Sequence, residues 1–166
     1  MSNTIAFTVV AAATITAAVI DVRTRRVPNV LTLSVAVAGV ALAAAGLGRI
    51  GIGASVAGCL VGFALMLPGH LLGATGGGDV KLLAAVGTLL GPGATLRAFV
   101  ATAIAGGLLA IVVAVRRGRL ATTLSGTSAL LMSAGAEMNA LRQPQQDNRF
   151  AYAPAIAVGA IVAALV

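Results

Sequence analysis

The chain has 166 residues, 59% of them hydrophobic and only 9% charged, and its mean hydropathy is +1.05. A soluble domain of this size needs far more polar surface, and no room is left for a separate soluble domain of ordinary size. The net charge of +7 does not point to a nucleic-acid partner, because with no Trp, one Tyr and four Phe the chain has almost no side chains on which bases could stack.

The apolar residues come in blocks of about 18, the length of a membrane-spanning helix. The expected fold is an all-α membrane protein, a polytopic bundle of about six transmembrane helices forming one integral-membrane domain over 1–166. The spans are placed at 4–20, 30–47, 51–72, 80–95, 97–115 and 151–166, the fourth short and interrupted by glycine. The last would reach only ~24 Å at 1.5 Å per residue, so support from neighbouring helices or local bilayer thinning is expected.

The first span lacks the basic residue that precedes the apolar run of a secretory signal, and it is read as a retained helix. It runs directly into DVRTRRVPN, residues 21–29. An Asp at a helix C-terminus opposes the macrodipole, so Asp21 is not comfortable as an ordinary loop residue. In the third span Gly58 and Gly62 have small-xxx-small spacing. This is taken as the usual consequence of an Ala/Gly-rich span, and no dimer is read from it. Cys59, the single cysteine, cannot form an intramolecular disulfide and is read as a buried, inert thiol. His70, beside Pro68 and Gly69, is read as an interfacial residue rather than a ligand, and no His/Cys/carboxylate cluster has metal-binding spacing. No cofactor is expected.

Residues 73–81 read GATGGGDVK. Gly73 and Gly78 have the GxxxxG spacing of a phosphate-binding loop, but Asp79 stands where the phosphate-pairing lysine belongs. That carboxylate would repel the ligand, and the P-loop reading is rejected. Asp79 could simply cap the helix that follows. Capping does not need Gly76, Gly77 and Gly78 in front of it. Those glycines weaken the helix locally and leave room for another chain. Non-helical backbone at membrane depth survives only beside protein or water, so a cavity with Asp79 at its edge is expected.

The longest polar stretch, about 116–150, contains Glu137 and Asp147, read as surface charges. Its mildly apolar middle, LATTLSGTSALLMSAGAEM, is expected to lie along the membrane surface as a helix, and QPQQDNR as a solvated loop. With six spans, nine of the 11 Lys and Arg residues fall on one side and only Arg49 and Arg97 on the other. The positive-inside rule makes the rich side cytoplasmic and places both termini outside. Asp21 and Asp79 then share the cytoplasmic face. Two carboxylates set close together share a proton. The ionised member can deprotonate water and the protonated member can donate to a carbonyl oxygen, which is peptide hydrolysis without a metal. The pair titrates as a unit, so no separate roles are assigned. Two other readings stay open at this point: a small proton-coupled transporter with relay carboxylates, and a non-catalytic scaffold for pilus or secretion assembly.

Asp21 and Arg23, followed by Val27, Pro28 and Asn29, resemble the D-x-R-x-x-x-I/V-P-N segment of type IV prepilin peptidases. GGGDVK resembles their GxGD motif, shared in outline with presenilin-type intramembrane aspartyl proteases, and Leu82 to Gly87 continue the pattern. Ala151 to Ala157, AYAPAIA, resemble the start of the family's last helix. The resemblance implies a membrane aspartyl endopeptidase of the bacterial plasma membrane. It would remove the basic leader from prepilin-like precursors at the cytoplasmic face, with Asp21 and Asp79 catalytic. Gly76, Gly77, Gly78, Lys81, Arg23, Pro28 and Asn29 would support the motif or bind substrate. Larger members carry a cytoplasmic domain with paired CxxC motifs and also N-methylate the product. This chain starts almost at once with span one and has one cysteine, so it resembles the short form associated with Flp/Tad pili, without methyltransferase activity. The expected partners are a prepilin-like substrate and the bilayer, with no nucleic acid. Because leaders and the cytoplasmic face are both basic, recognition is expected to rest on the apolar pilin helix and on local contacts. Lys81 is expected to pair with an acidic substrate residue, to bias the dyad, or to snorkel to the interface.

Overall fold

The computed structural model describes residues 2–72, 75–116 and 152–165. Among them the regular structure is helical throughout: α1 Ser2–Thr24, α2 Asn29–Ala44, α3 Ile52–Leu71, α4 Gly77–Arg116 and α5 Ala153–Leu165. Residues 1–106 and 151–166 form one compact unit and 107–150 a second. Of the second, 107–116 are described, as the continuation of α4. The expected surface helix and loop after Arg116, with Glu137 and Asp147, lie outside the described residues.

Gly91 breaks α4 into two halves, 77–90 and 92–116, with φ 77° and ψ 172°. An L-residue side chain strains that conformation. Pro92 opens the second half, where its missing N–H is a donor that a helix start leaves unpaired anyway. Sequence reasoning placed the boundary between 95 and 97, next to Arg97. The backbone instead turns at the Gly-Pro pair, and Arg97 lies within the second half. The first span also continues past its expected end at 20, so Asp21 sits inside α1 rather than after it.

The first half of α4 is the centre of the larger unit. Val80 and residues 82–91 are buried, and Lys81 alone among 79–91 is exposed. α3 touches it backbone to backbone. A Cβ on Gly58 would stand 2.8 Å from Gly91 Cα, one on Gly62 would stand 2.6 Å from the Leu83 carbonyl oxygen, and one on Gly87 would stand 2.7 Å from the Gly58 carbonyl carbon. The Gly58/Gly62 spacing, read from the sequence as incidental, is therefore used inside the chain. In lipid there is no hydrophobic drive between helices, and close van der Waals packing of small residues substitutes for it. Ser55 Oγ adds a bond, donating to the Thr88 carbonyl at 2.7 Å.

The contacts sort the helix ends into two groups. At one end α1 finishes, α2 starts, and α4 and α5 start. At the other, the Arg49 guanidinium donates to the Ala164 carbonyl in the last turn of α5 at 2.9 Å, and Ile50 lies against Gly91. Within the larger unit, counting the halves of α4 separately and the second only as far as Gly106, the helical segments alternate between these ends. Among the described residues, three stretches are long and apolar enough to cross a membrane: Phe7–Thr24, Ile52–Leu71 and Gly77–Val112, the last containing the Gly91 break. α2 and α5 are apolar but shorter, at 16 and 13 residues. Exposed side chains such as Leu33, Val37, Leu60, Leu96 and Ile104 give the helices the apolar outer faces that lipid requires.

Candidate active site

Asp21 lies in the last turn of α1 and is 5% exposed. Its backbone carbonyl accepts the Arg25 N–H at 2.7 Å, and Arg25 then turns the chain out of the helix at φ 53°. Its side chain meets the start of α5, where the Ala153 N–H donates to Asp21 Oδ2 at 3.2 Å. The first N–H groups of any helix lack intrahelical partners, and here the account closes. Ala153 uses Asp21, Pro154 has no N–H, and Ala155 and Ile156 donate to the Tyr152 carbonyl at 3.0 and 3.2 Å. The carboxylate that opposes the dipole of α1 is favourable to that of α5.

Asp79 is 7% exposed and lies in the first turn of α4. It does not itself cap the helix. The Gly76 carbonyl accepts the N–H of Asp79 and Val80 at 3.1 and 3.4 Å, and Asp79 Oδ2 accepts the Gly76 N–H in return at 3.1 Å. This is the reaching-back half of a capping box. Gly76 to Gly78 do not use glycine's positive-φ freedom, since Gly46 and Gly91 are the positive-φ glycines among the described residues. What they supply is space, and the chain itself takes it. A Cβ on Gly76 would stand 3.1 Å from Asp79 Oδ2, one on Gly77 3.4 Å from His70 Cε1, and one on Gly78 3.2 Å from Val27 Cβ. The sequence reading reserved that room for another chain, which was incorrect for Gly78: Val27 occupies it. His70 is exposed, and its Nδ1 donates to the Thr75 carbonyl at 3.2 Å.

A second bond ties the two motifs together. Lys81 Nζ donates to Asn29 Oδ1 at 3.0 Å, and the Pro28 carbonyl accepts the Leu31 and Thr32 N–H groups at the start of α2. The α1–α2 connection is thus fixed to the first turn of α4 through Val27 and Asn29. Asp21, Asp79, Gly76, Gly77, Gly78, Lys81 and Asn29 come together at one end of the fold, and the two carboxylates are within electrostatic reach of each other. Arg23 and Pro28 are exposed.

Sequence reasoning named Val27 and AYAPAIA only as parts of the family resemblance, and gave no role to the Tyr152 ring, the Ala153 amide or Gly106. Tyr152 is half-buried against Gly106 of α4. The available signal was AYAP itself, the chain's sole tyrosine followed by a proline in the first turn of an apolar helix.

No curated protein and no solved structure matches the chain. A family model described as the type IV leader peptidase family matches residues 8–111. That interval holds Asp21, the Val27–Asn29 connection, GGGDVK and both halves of α4 as far as Ile111. It covers well over half of the sequence, and the chain therefore belongs to the type IV leader peptidase family.

Proposed function

We propose that the protein is an aspartic endopeptidase of the bacterial plasma membrane that removes the basic leader from type IV prepilin-like precursors of the Flp kind at the cytoplasmic face. The carrying observation is the pairing of two buried carboxylates from α1 and α4, in electrostatic reach and each held through one oxygen by an amide at a helix start. Two carboxylates set close together share a proton. The ionised member takes a proton from water as its oxygen attacks the scissile carbonyl carbon, while the protonated member donates to the carbonyl oxygen. The tetrahedral intermediate then collapses, the C–N bond breaks, and the leaving amine takes up a proton. Among this chain's residues, Asp21 and Asp79 are assigned the acid–base work as a unit, without separate roles. Gly76 and Ala153 orient them, and Lys81 and Asn29 hold the frame. Methylation of the new terminus is not assigned to this chain.

The test is incubation of the purified protein with a prepilin-like substrate. Loss of a mass equal to the leader is the expected result. Asp21→Asn and Asp79→Asn should each insert normally and lower cleavage by about 100-fold or more, the scale of general acid–base catalysis. Near-normal cleavage by either variant would falsify the dyad.

A further inference from the structure

Two contacts at the start of α5 act on one point. The Ala153 N–H donates to Asp21 Oδ2. Immediately before it, the Tyr152 ring lies in a slot that exists because residue 106 has no side chain. A Cβ at Gly106 would stand 2.6 Å from Tyr152 Cε2 and 2.9 Å from both Cζ and the hydroxyl oxygen. Real Cβ atoms do not approach that closely, so even an alanine displaces the ring. Gly107 has open space around its own Cβ position. The Tyr152 carbonyl accepts the Ala155 and Ile156 N–H groups, so ring, carbonyl and the Ala153 amide belong to one hydrogen-bonded turn. The ring is the part of that residue that packs on α4.

We propose that Tyr152, seated on Gly106, is a positioning residue for Asp21: the ring sets where α5 begins and so aims the Ala153 N–H at the carboxylate. Its part in catalysis rests on the dyad reading above. The hydrogen bond fixes the rotation of the Asp21 carboxylate, and Asp79 on α4 is the titratable group within electrostatic reach of it. Catalytic geometry is sensitive at this scale, and a misplacement of about 1 Å costs on the order of 100-fold in rate. This part is assigned to the ring and not to the hydroxyl.

Tyr152 is the only tyrosine. Carbonyl-13C tyrosine combined with 15N-alanine therefore marks one amide, that of Ala153, in the full chain in detergent micelles. In the wild type its proton resonance should follow the titration of Asp21, and in Asp21→Asn it should not. Gly106→Ala should abolish that response and lower kcat for leader cleavage about tenfold or more, with KM within about twofold. Gly107→Ala should leave both unchanged, although both substitutions favour helix. Tyr152→Leu should reproduce the loss of kcat and Tyr152→Phe should restore it, which keeps the test open if Gly106→Ala unfolds. A Gly106→Ala protein with the wild-type amide response, or a Tyr152→Leu protein with wild-type kcat, overturns the proposal. If the wild type cleaves no prepilin yet the amide behaves as stated, the peptidase reading fails and the positioning contact stands.

Discussion

Each carboxylate of the pair is buried and reaches a backbone amide at the start of a helix, Asp79 its own and Asp21 another. The carboxylates were legible in the sequence because charge is scarce in an apolar chain and expensive at membrane depth, about 2.5–3.5 kcal/mol for Asp at a helix centre. Their amide partners were not legible, because a backbone donor has no side-chain signature. Lys81 shows the same limit. Sequence offered it a substrate carboxylate, the dyad or lipid, whereas its ammonium donates to Asn29. That bond is exposed, and exposed polar contacts contribute about 0–1 kcal/mol, so its worth lies in holding the α1–α2 connection rather than in stability. Lys81→Met and Asn29→Ala should each reduce leader cleavage by the same few-fold amount, with little change in thermal unfolding. The double variant should be no worse than either single one, since both remove one interaction. Full additivity of the two losses would assign Lys81 a separate role.

At the scale of elements, helix existence was readable from apolar block length, and helix contact was not. Gly58 and Gly87 illustrate this. The small-residue spacing is visible in the sequence, but the face that meets another helix is decided by packing of the whole unit. A methyl at Gly58 or Gly87 would press on backbone, which cannot rotate away. Overpacking of this kind costs about 1–3 kcal/mol. Gly58→Ala should therefore lower the thermal midpoint in detergent. Gly53→Ala, on the same helix with nothing within 4 Å of its Cβ position, should leave it level or raise it, because alanine is the better helix former. Equal midpoints for the two variants would remove the α3–α4 backbone contact from the account. The Gly91 break was misplaced for a related reason. The spans were divided at 95–97, beside Arg97, yet a charge at a helix surface needs no break, while positive φ followed by proline requires one.

Across the larger unit, the alternation of helical segments gathers both aspartates, Lys81 and the end of α1 with Arg23 at one end, and Arg49 at the other. Counting charges makes the first of these ends the cytoplasmic one, because Lys and Arg are retained on that side of a membrane, and we propose that orientation. Sidedness itself is then a measurable property. In a Cys59→Ala background, Val30→Cys marks the end that holds Asp21 and Asp79, and Leu47→Cys marks the opposite end; both native side chains are exposed, at 80% and 54%. A membrane-impermeant maleimide applied to spheroplasts should label Leu47→Cys and leave Val30→Cys unlabelled until the membrane is broken. Leader cleavage should likewise proceed in inverted vesicles with substrate added outside. A basic leader that has not crossed the membrane can meet the carboxylates only on that side. Labelling of Val30→Cys in intact spheroplasts would put the aspartates on the wrong face for an unprocessed leader, whatever the geometry of the pair.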